Sequence, residues 1–556
     1  MLVVSPMRSH SLPIGDIPTQ VFRSAEPYRE EVVLIDAESE RQFTIGDIIS
    51  TSTKLAAGLA RQGFGGRVIS VFDNTQLQSV FVYYAAMMAG GAYQSLDTGV
   101  SGSDLRDRIA FTQTPAICTS HAYLQRLVEA TRGLGISIYV FDHPRSPNSA
   151  DTLACAAGAL RSSSNNGVVT DCACGAVPGC CAPISDLLID DPTFVPVRIT
   201  SKDDAMQKPA YLAYLPAATH TQRSLTISHY SLLSSQRLSR PSGLLDAHRT
   251  AVSAVAFSGA HGINVIAHFP MLSGSRVIQL NKSSPFACLS AIERWGAGIL
   301  LANYPVLASI DSSAKRVGDR IVVGDDSFDA TSLSVIFIHE LRVPQAFKDR
   351  ISTLFQARLV ELYSYIETGL IAGVITEHPR IDGSVGVLCP NVKARVVMDG
   401  NEVGEGECGE IHISTPRLAA NEATSGGEFF CTGDYGKITD SGVVIIKARM
   451  KDLIHMKNGR IATPMDIEKT VLANANVADC AAFGIHADGD PEGSPQLPFV
   501  FVVPAGDCSH LDMDDILEPL ANMYPGIRGS FIDRIPKCDK GEPKRLLLRE
   551  LATKED

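Results

Sequence analysis

The chain has 556 residues, 45% of them hydrophobic and 20% charged, with a formal net charge of −12. That length exceeds what one core organises and predicts a large domain with a smaller one. Lys and Arg are scattered among acids, so a nucleic-acid role has no electrostatic footing, and no apolar run reaches the roughly 18–20 residues that cross a bilayer.

The opening MLVVSPMRSH has neither the basic start nor the long apolar stretch of a secretory leader. The closing ATKED is not a peroxisomal or retention address. Thirteen cysteines, an odd number spread through a long chain, predict reduced thiols and a cytoplasmic setting.

In chain order, Val32–Asp36 and Arg67–Asp73 read as short β-rich runs ending in acids. Asn74 then predicts the cap of a helix with Leu77, Val80, Phe81, Tyr84 and Met88 on one apolar face, stopped by Gly90-Gly91. Ala116–Ser120 and Ser137–Asp142 read as further buried strands. Strand, helix, strand in this rhythm predicts crossover units and largely parallel sheets, an α/β fold.

Residues 144–182 break the rhythm with Ser, Asn, Gly and Cys and read as a loop insertion. Cys172, Cys174, Cys180 and Cys181 are soft ligands, but their spacing is not a zinc pattern and no His lies nearby. Free thiols on a surface loop are the better account. Towards the end, Gly442–Lys447 reads as a strand. Beyond it come a helix (Pro464–Ala473), strands (Ala481–Ile485 and Phe499–Val503), a helix (Asp512–Met523) and a basic tail. The predicted division is 1–447 for the large domain and 448–556 for a small α/β lid.

The motifs that carry chemistry lie around this second boundary. Thr432-Gly433-Asp434 precedes Ala448-Arg449-Met450-Lys451-Asp452, and Asn458-Gly459 leads to Pro464 and Glu468. Upstream stand Tyr363-Ser364-Tyr365-Ile366-Glu367, Gly383-Ser384-Val385-Gly386 and Gly406-Glu407-Cys408-Gly409-Glu410. Ile535-Pro536-Lys537 with Gly541 closes the set. In this order they resemble the acyl-adenylate-forming superfamily of acyl-CoA synthetases, luciferases and peptide-synthetase adenylation domains. The early segments resemble coumarate-CoA-ligase-like members, so the likeness covers nearly the whole chain.

The resemblance implies a large adenylate-forming domain of layered α/β subdomains with a small lid, and a reaction using ATP, Mg²⁺ and CoA. Asp434 takes the place of the ribose-binding acid, Arg449 that of the nucleotide-contacting Arg, and Lys451 that of the hinge between domains. Glu367 matches the Mg²⁺ glutamate, and Tyr363 opens that motif. His261, in AFSGAHGINVIAHFP, falls in the acyl-pocket segment, with plain packing as its alternative. His220 and His339 are expected to face each other across the nucleotide site, where imidazoles could serve acid–base chemistry of another kind. His339 is also placed with His261 on the substrate side.

Two motifs depart from the family. Its phosphate loop, Thr-Ser-Gly-Ser-Thr-Gly-x-Pro-Lys-Gly, is replaced by 215–224, keeping Thr219 and setting Arg223 in the Lys position. All three glycines are gone, and with them the backbone freedom that lets a loop wrap phosphate. The C-terminal catalytic Lys is replaced by Glu542, flanked by Lys540 and Lys544. At about 4 Å and an effective dielectric near 20, such a sign change moves an ionic interaction by several kcal/mol.

The expected function is therefore an acid–thiol ligase that activates a small-molecule carboxylic acid as acyl-AMP and passes it to CoA or a carrier-protein thiol. The alternative is a ligase-like protein that no longer adenylates. It would bind an acyl or CoA-like ligand, or catalyse an ATP-independent step in the same cleft.

Overall fold

The computed structural model describes residues 2–73, 77–141, 181–215, 223–238, 249–258, 262–338, 343, 345–373, 383–418, 428–486, 494–506, 511–538 and 542–555. Two large sheets organise residues up to Arg449. The first has seven strands among the described residues. Its order is Arg223–Ser228, Pro209–Leu215, Ala92–Ser95, Val68–Phe72, Ala116–Thr119, Ser137–Val140 and Cys181–Pro183. Its neighbours run parallel except for the first pair, an antiparallel hairpin whose register sets Arg223 opposite Leu215. That hairpin flanks residues 216–222, which lie outside the described residues.

The second sheet changes character partway across. Val32–Asp36, Arg276–Gln279, Thr250–Ser253, Ile299–Ala302, Val335–Ile338 and Arg358–Tyr365 lie parallel. From Arg358–Tyr365 onward the pairing is antiparallel, through Gly369–Gly373, Ser384–Leu388, Val443–Arg449, Phe430–Ile438, Gly409–Ser414 and Lys393–Met398. Crossover helices explain the parallel half and short turns the antiparallel one. The expectation of largely parallel sheets is thus met in the first sheet and in one half of the second. Arg358–Tyr365 is the strand on which the direction switches.

A core of Ile, Val, Leu and aromatic side chains ties the sheets together through the helices Ile45–Arg61 and Ser79–Met88. The second of these begins later than the sequence suggests: Leu77 precedes it and Gln78 holds its N-cap position without a side-chain cap bond. Every residue from Ser79 to Met88 is buried, so the helix has no solvent face at all. Its four- and three-residue spacing of large side chains misled the one-sided reading, because a helix sandwiched between layers is apolar all round. Asn74 lies outside the described residues. Tyr83, Tyr84 and Tyr93 meet there in edge-on pairs, Tyr83–Tyr84 at 5.0 Å and Tyr83–Tyr93 at 5.4 Å between centroids. Such pairs add about 0.5–1.5 kcal/mol each beyond simple burial.

Most of the expected loop insertion lies outside the described residues. Its end does not: Cys181 is buried in the edge strand Cys181–Pro183, which runs parallel to Ser137–Val140. Cys181 is a core thiol, not a ligand on a surface loop.

After Arg449 a separate sheet forms from Val477–Ile485, Leu497–Pro504 and Arg528–Phe531. Its two faces carry two distinct apolar clusters drawn only from this part of the chain. Pro464–Val471 and Met513–Ala521 pack as helices, capped by Thr463 and Asp512. The expected basic tail is instead the helix Arg545–Glu555, with Leu548 and Ala552 buried against the sheet. Basic residues at 545 and 549 masked its apolar spacing. Among the described residues no helix is long and apolar enough to cross a membrane.

Candidate functional site

The site grows from one hairpin. Phe430–Ile438 and Val443–Arg449 pair antiparallel with Asp434 directly opposite Arg449. Opposed residues hold their Cβ atoms about 4.5–5.5 Å apart, so an acid and a guanidinium in this register meet without searching. Gly433 adopts φ +70, a left-handed conformation that a side chain resists. The twist aims the Gly433 N–H at Glu410 Oε1 (3.0 Å) and lets the Asp434 N–H reach Thr432 Oγ1 (3.1 Å). Thr432 in turn donates to the Ile411 carbonyl at 2.7 Å. The backbone under the carboxylate is fixed before any ligand arrives.

The neighbouring strand supplies the rest. Alternation along Arg358–Tyr365 sends Tyr363 and Tyr365 to one face, and both phenols donate to Asp434 Oδ2, at 2.9 and 2.5 Å. The other oxygen, Oδ1, sits 3.1 Å from Arg449 Nη1. Arg449 also donates to the Tyr365 oxygen and to the Thr432 carbonyl (3.1 Å), and its guanidinium lies 5.3 Å from the Tyr365 ring centre. Asp434 is wholly buried. Burial alone would lower the Arg449 pKa, but Asp434, Tyr365, Glu542 and Tyr363 outweigh it and hold the guanidinium above its ordinary value. Burial, then the Asp434 charge, pushes the Tyr363 phenol well above its usual range, so it stays a donor.

Sequence-predicted residues therefore fall into three groups. Asp434, Arg449 and Tyr363 are brought into direct contact. Glu367 sits in the turn after Tyr365, half-buried, on the same connection to Gly369–Gly373. Lys451 is exposed in the short turn Met450–Asp452 that follows Arg449. Thr219, His220, His261 and His339 lie outside the described residues, as does the side chain of Arg223, so the expected facing of His220 and His339 is not described.

The turn holding Lys451 is tied to the C-terminal helix. Arg545 reaches Glu468 Oε1 at 2.6 Å, the Ala482 carbonyl at 3.0 Å and Asp452 Oδ2 at 3.8 Å. Glu542, three residues before it, contributes negative charge to both Arg545 and Arg449. Glu542 thus acts on the same guanidinium that holds Asp434.

Sequence reasoning missed Tyr365, which stands at the variable place of its motif; i, i+2 alternation from Tyr363 was the available signal. A further buried cation is Arg417, just after the strand Gly409–Ser414. This guanidinium is 2% exposed, and its two terminal nitrogens find no hydrogen-bond partner among the described residues. Burial, opposed only by the Cys389 thiol, lowers its pKa. No motif signal marked it.

The donor set fits a nucleotide in kind. A carboxylate can accept both ribose hydroxyls, a guanidinium suits phosphate oxygens, and a glutamate oxygen suits the hard cation Mg²⁺. Access is another matter: Asp434 is wholly buried, with both phenols on Oδ2 and Arg449 beside Oδ1, so a ribose hydroxyl reaches it only after one of these neighbours moves.

The AMP-binding enzyme family model matches residues 21–421. A probable 4-coumarate–CoA ligase of Dictyostelium discoideum is 23% identical over 562 residues, covering 97% of this chain and 96% of that protein. The ATP-bound structure of MatB from Rhodopseudomonas palustris is similar with a TM-score of 0.73 at 19% identity, over 96% of this chain and 98% of that one. The amide bond synthetase McbA from Marinactinospora thermotolerans gives 0.75 at 17% identity, over 96% and 100%. At those identities the two structures speak for the fold, a large N-terminal α/β domain followed by a smaller one. With most of its length matched by the family model and its relatives aligned nearly end to end, the chain belongs to the AMP-binding enzymes, as a member resembling 4-coumarate–CoA ligases.

Proposed function

We propose that this protein is an acid–thiol ligase. It activates a small-molecule carboxylic acid with ATP as acyl-AMP and transfers the acyl group to CoA or to a carrier-protein thiol. The observation that carries the reading is the buried Asp434–Arg449 pair, held in register across one hairpin and backed by Tyr363.

Bound ATP supplies the adenylyl group and pyrophosphate as leaving group. Asp434 accepts from the ribose hydroxyls once Tyr365 turns aside, and Arg449 then engages nucleotide oxygens in place of the phenol. Glu367 offers a carboxylate oxygen to Mg²⁺, and Thr219 with Arg223 serves the phosphates. His261 and His339 line the acid's side. Residues 448–556 act as a lid on the body formed by 1–447, and Lys451 is the pivot between two half-reactions.

A second reading is favoured by Glu542, whose charge lies where attraction for two anions is needed. Under it, the cleft binds an acyl or CoA-like ligand without adenylation. One experiment separates them: pyrophosphate release with Mg-ATP and a panel of aryl and fatty acids. Turnover that Asp434→Ala abolishes supports the ligase. No release from any acid, with no ATP binding by calorimetry, removes it in favour of the second reading.

A further inference from the structure

Outside the nucleotide cluster, the antiparallel half of the second sheet brings together three metal-ligating side chains that are separated in the sequence. Cys431 on Phe430–Ile438 is the direct cross-strand partner of His412 on Gly409–Ser414. Its Sγ lies 3.9 Å from His412 Nδ1. Glu410 precedes His412 by two positions, and its Oε2 is 3.1 Å from His412 Nε2. One ligand atom from each residue lies within 4.8 Å of the other two. A register shift between Glu410 and His412 re-aims these side chains, as bulges do near functional positions.

We propose that Glu410, His412 and Cys431 form a binding site for a zinc-class divalent cation, on the strand that leads into Asp434. The donors are held in place without the ion. Glu410 is fixed at its other oxygen by the Gly433 N–H (3.0 Å), and the imidazole is 11% exposed. Arg395, the cross-strand partner of His412, is itself engaged: it pairs with Glu402 at 3.0 Å and stacks over Phe429 at 4.2 Å. One thiolate, one imidazole and one carboxylate suit a borderline ion such as Zn²⁺, and not Mg²⁺ or Ca²⁺, which take oxygens. Cys431 is exposed, so a fourth position opens to solvent. Binding releases the thiol proton to water, and the ion bridges the two strands beside Thr432-Gly433-Asp434. Nothing in this site depends on whether the cleft adenylates.

The test is titration of chelator-stripped full-length protein with Co²⁺, followed by displacement with Zn²⁺. The expected result is a thiolate-to-cobalt charge-transfer band that saturates at one equivalent and is lost on adding Zn²⁺. Cys431→Ser removes the band. His412→Gln weakens cobalt binding at least tenfold. Zn²⁺ raises the melting temperature of the parent protein and leaves that of Cys431→Ser unmoved. Cys431 is on the surface, so its serine variant retains the far-ultraviolet circular dichroism of the fold. Absence of the band, or its persistence in Cys431→Ser through other thiols such as Cys172 and Cys174, overturns the proposal.

Discussion

The hairpin bearing Asp434 and Arg449 and the C-terminal segment bearing Glu542 both bear on Arg449, and they are built in opposite ways. In the hairpin, register, a left-handed glycine and two phenols converge on one carboxylate. In the C-terminal segment a single carboxylate, Glu542, adds its negative charge to the surroundings of Arg449. The lesson is that a charge pair set by backbone register is held by many contacts, whereas a lone charge depends on a single side chain. Scaffold persists where many contacts share the work.

The largest effect tests the anchor. Asp434→Ala leaves Arg449 partly buried without its counter-charge and should cost about 3 kcal/mol, at the lower end for broken buried pairs. Urea unfolding reads it, and a loss under 1 kcal/mol would show that the pair is not structural. The lid side is tested by Glu542→Lys. Restoring the sign should raise pyrophosphate release at least tenfold with the best acid, given interactions of several kcal/mol at short range. An unchanged rate would mean that the phosphate-loop replacement, not the lid, limits the chemistry.

Legibility in the sequence follows the same divide. Asp434, Arg449 and Tyr363 were legible only through the family motifs in which they stand, and their contact through strand pairing was not. The lid's strands and helices were readable from their periodicity. The buried helix Ser79–Met88 was misread because burial on all sides erases the amphipathic signal. The C-terminal helix was hidden by its basic residues. Glu410, His412 and Cys431 were invisible, since ligands joined through strand pairing leave no local spacing to detect.

A third prediction separates the cleft from the core beneath it. Burial lowers His268 to about 3 and His229 to about 4. His268 bonds Tyr83 at 2.9 Å and Asn264 at 3.1 Å, and His229 accepts from the Ile17 N–H at 3.2 Å. Both folded values lie below the unfolded value near 6.5, so the unfolded chain binds more protons. Their stabilisation is present above about pH 6.5 and is lost as pH falls towards 4, at about 1.4 kcal/mol per pH unit for each histidine. His268→Gln should remove roughly half of that slope in urea midpoints measured from pH 6.5 to 4.5. An unaltered slope would put the acid sensitivity elsewhere.

The smallest effect sharpens the anchor. Tyr365→Phe removes one hydrogen bond to Asp434 and should tighten ATP binding about fivefold, the scale of one hydrogen bond near 1 kcal/mol. Weaker binding would mean that Tyr365 contacts the nucleotide instead of shielding its acid.

The most direct measurement is calorimetric titration of Mg-ATP into the parent protein and into Asp434→Asn, which keeps the shape of the side chain and removes its charge. The account predicts saturable one-to-one binding in the parent and at least tenfold weaker binding in the variant, as expected for charged hydrogen bonds worth about 1.5–3 kcal/mol. Equal affinity in the two proteins, or no heat of binding in the parent, would contradict it.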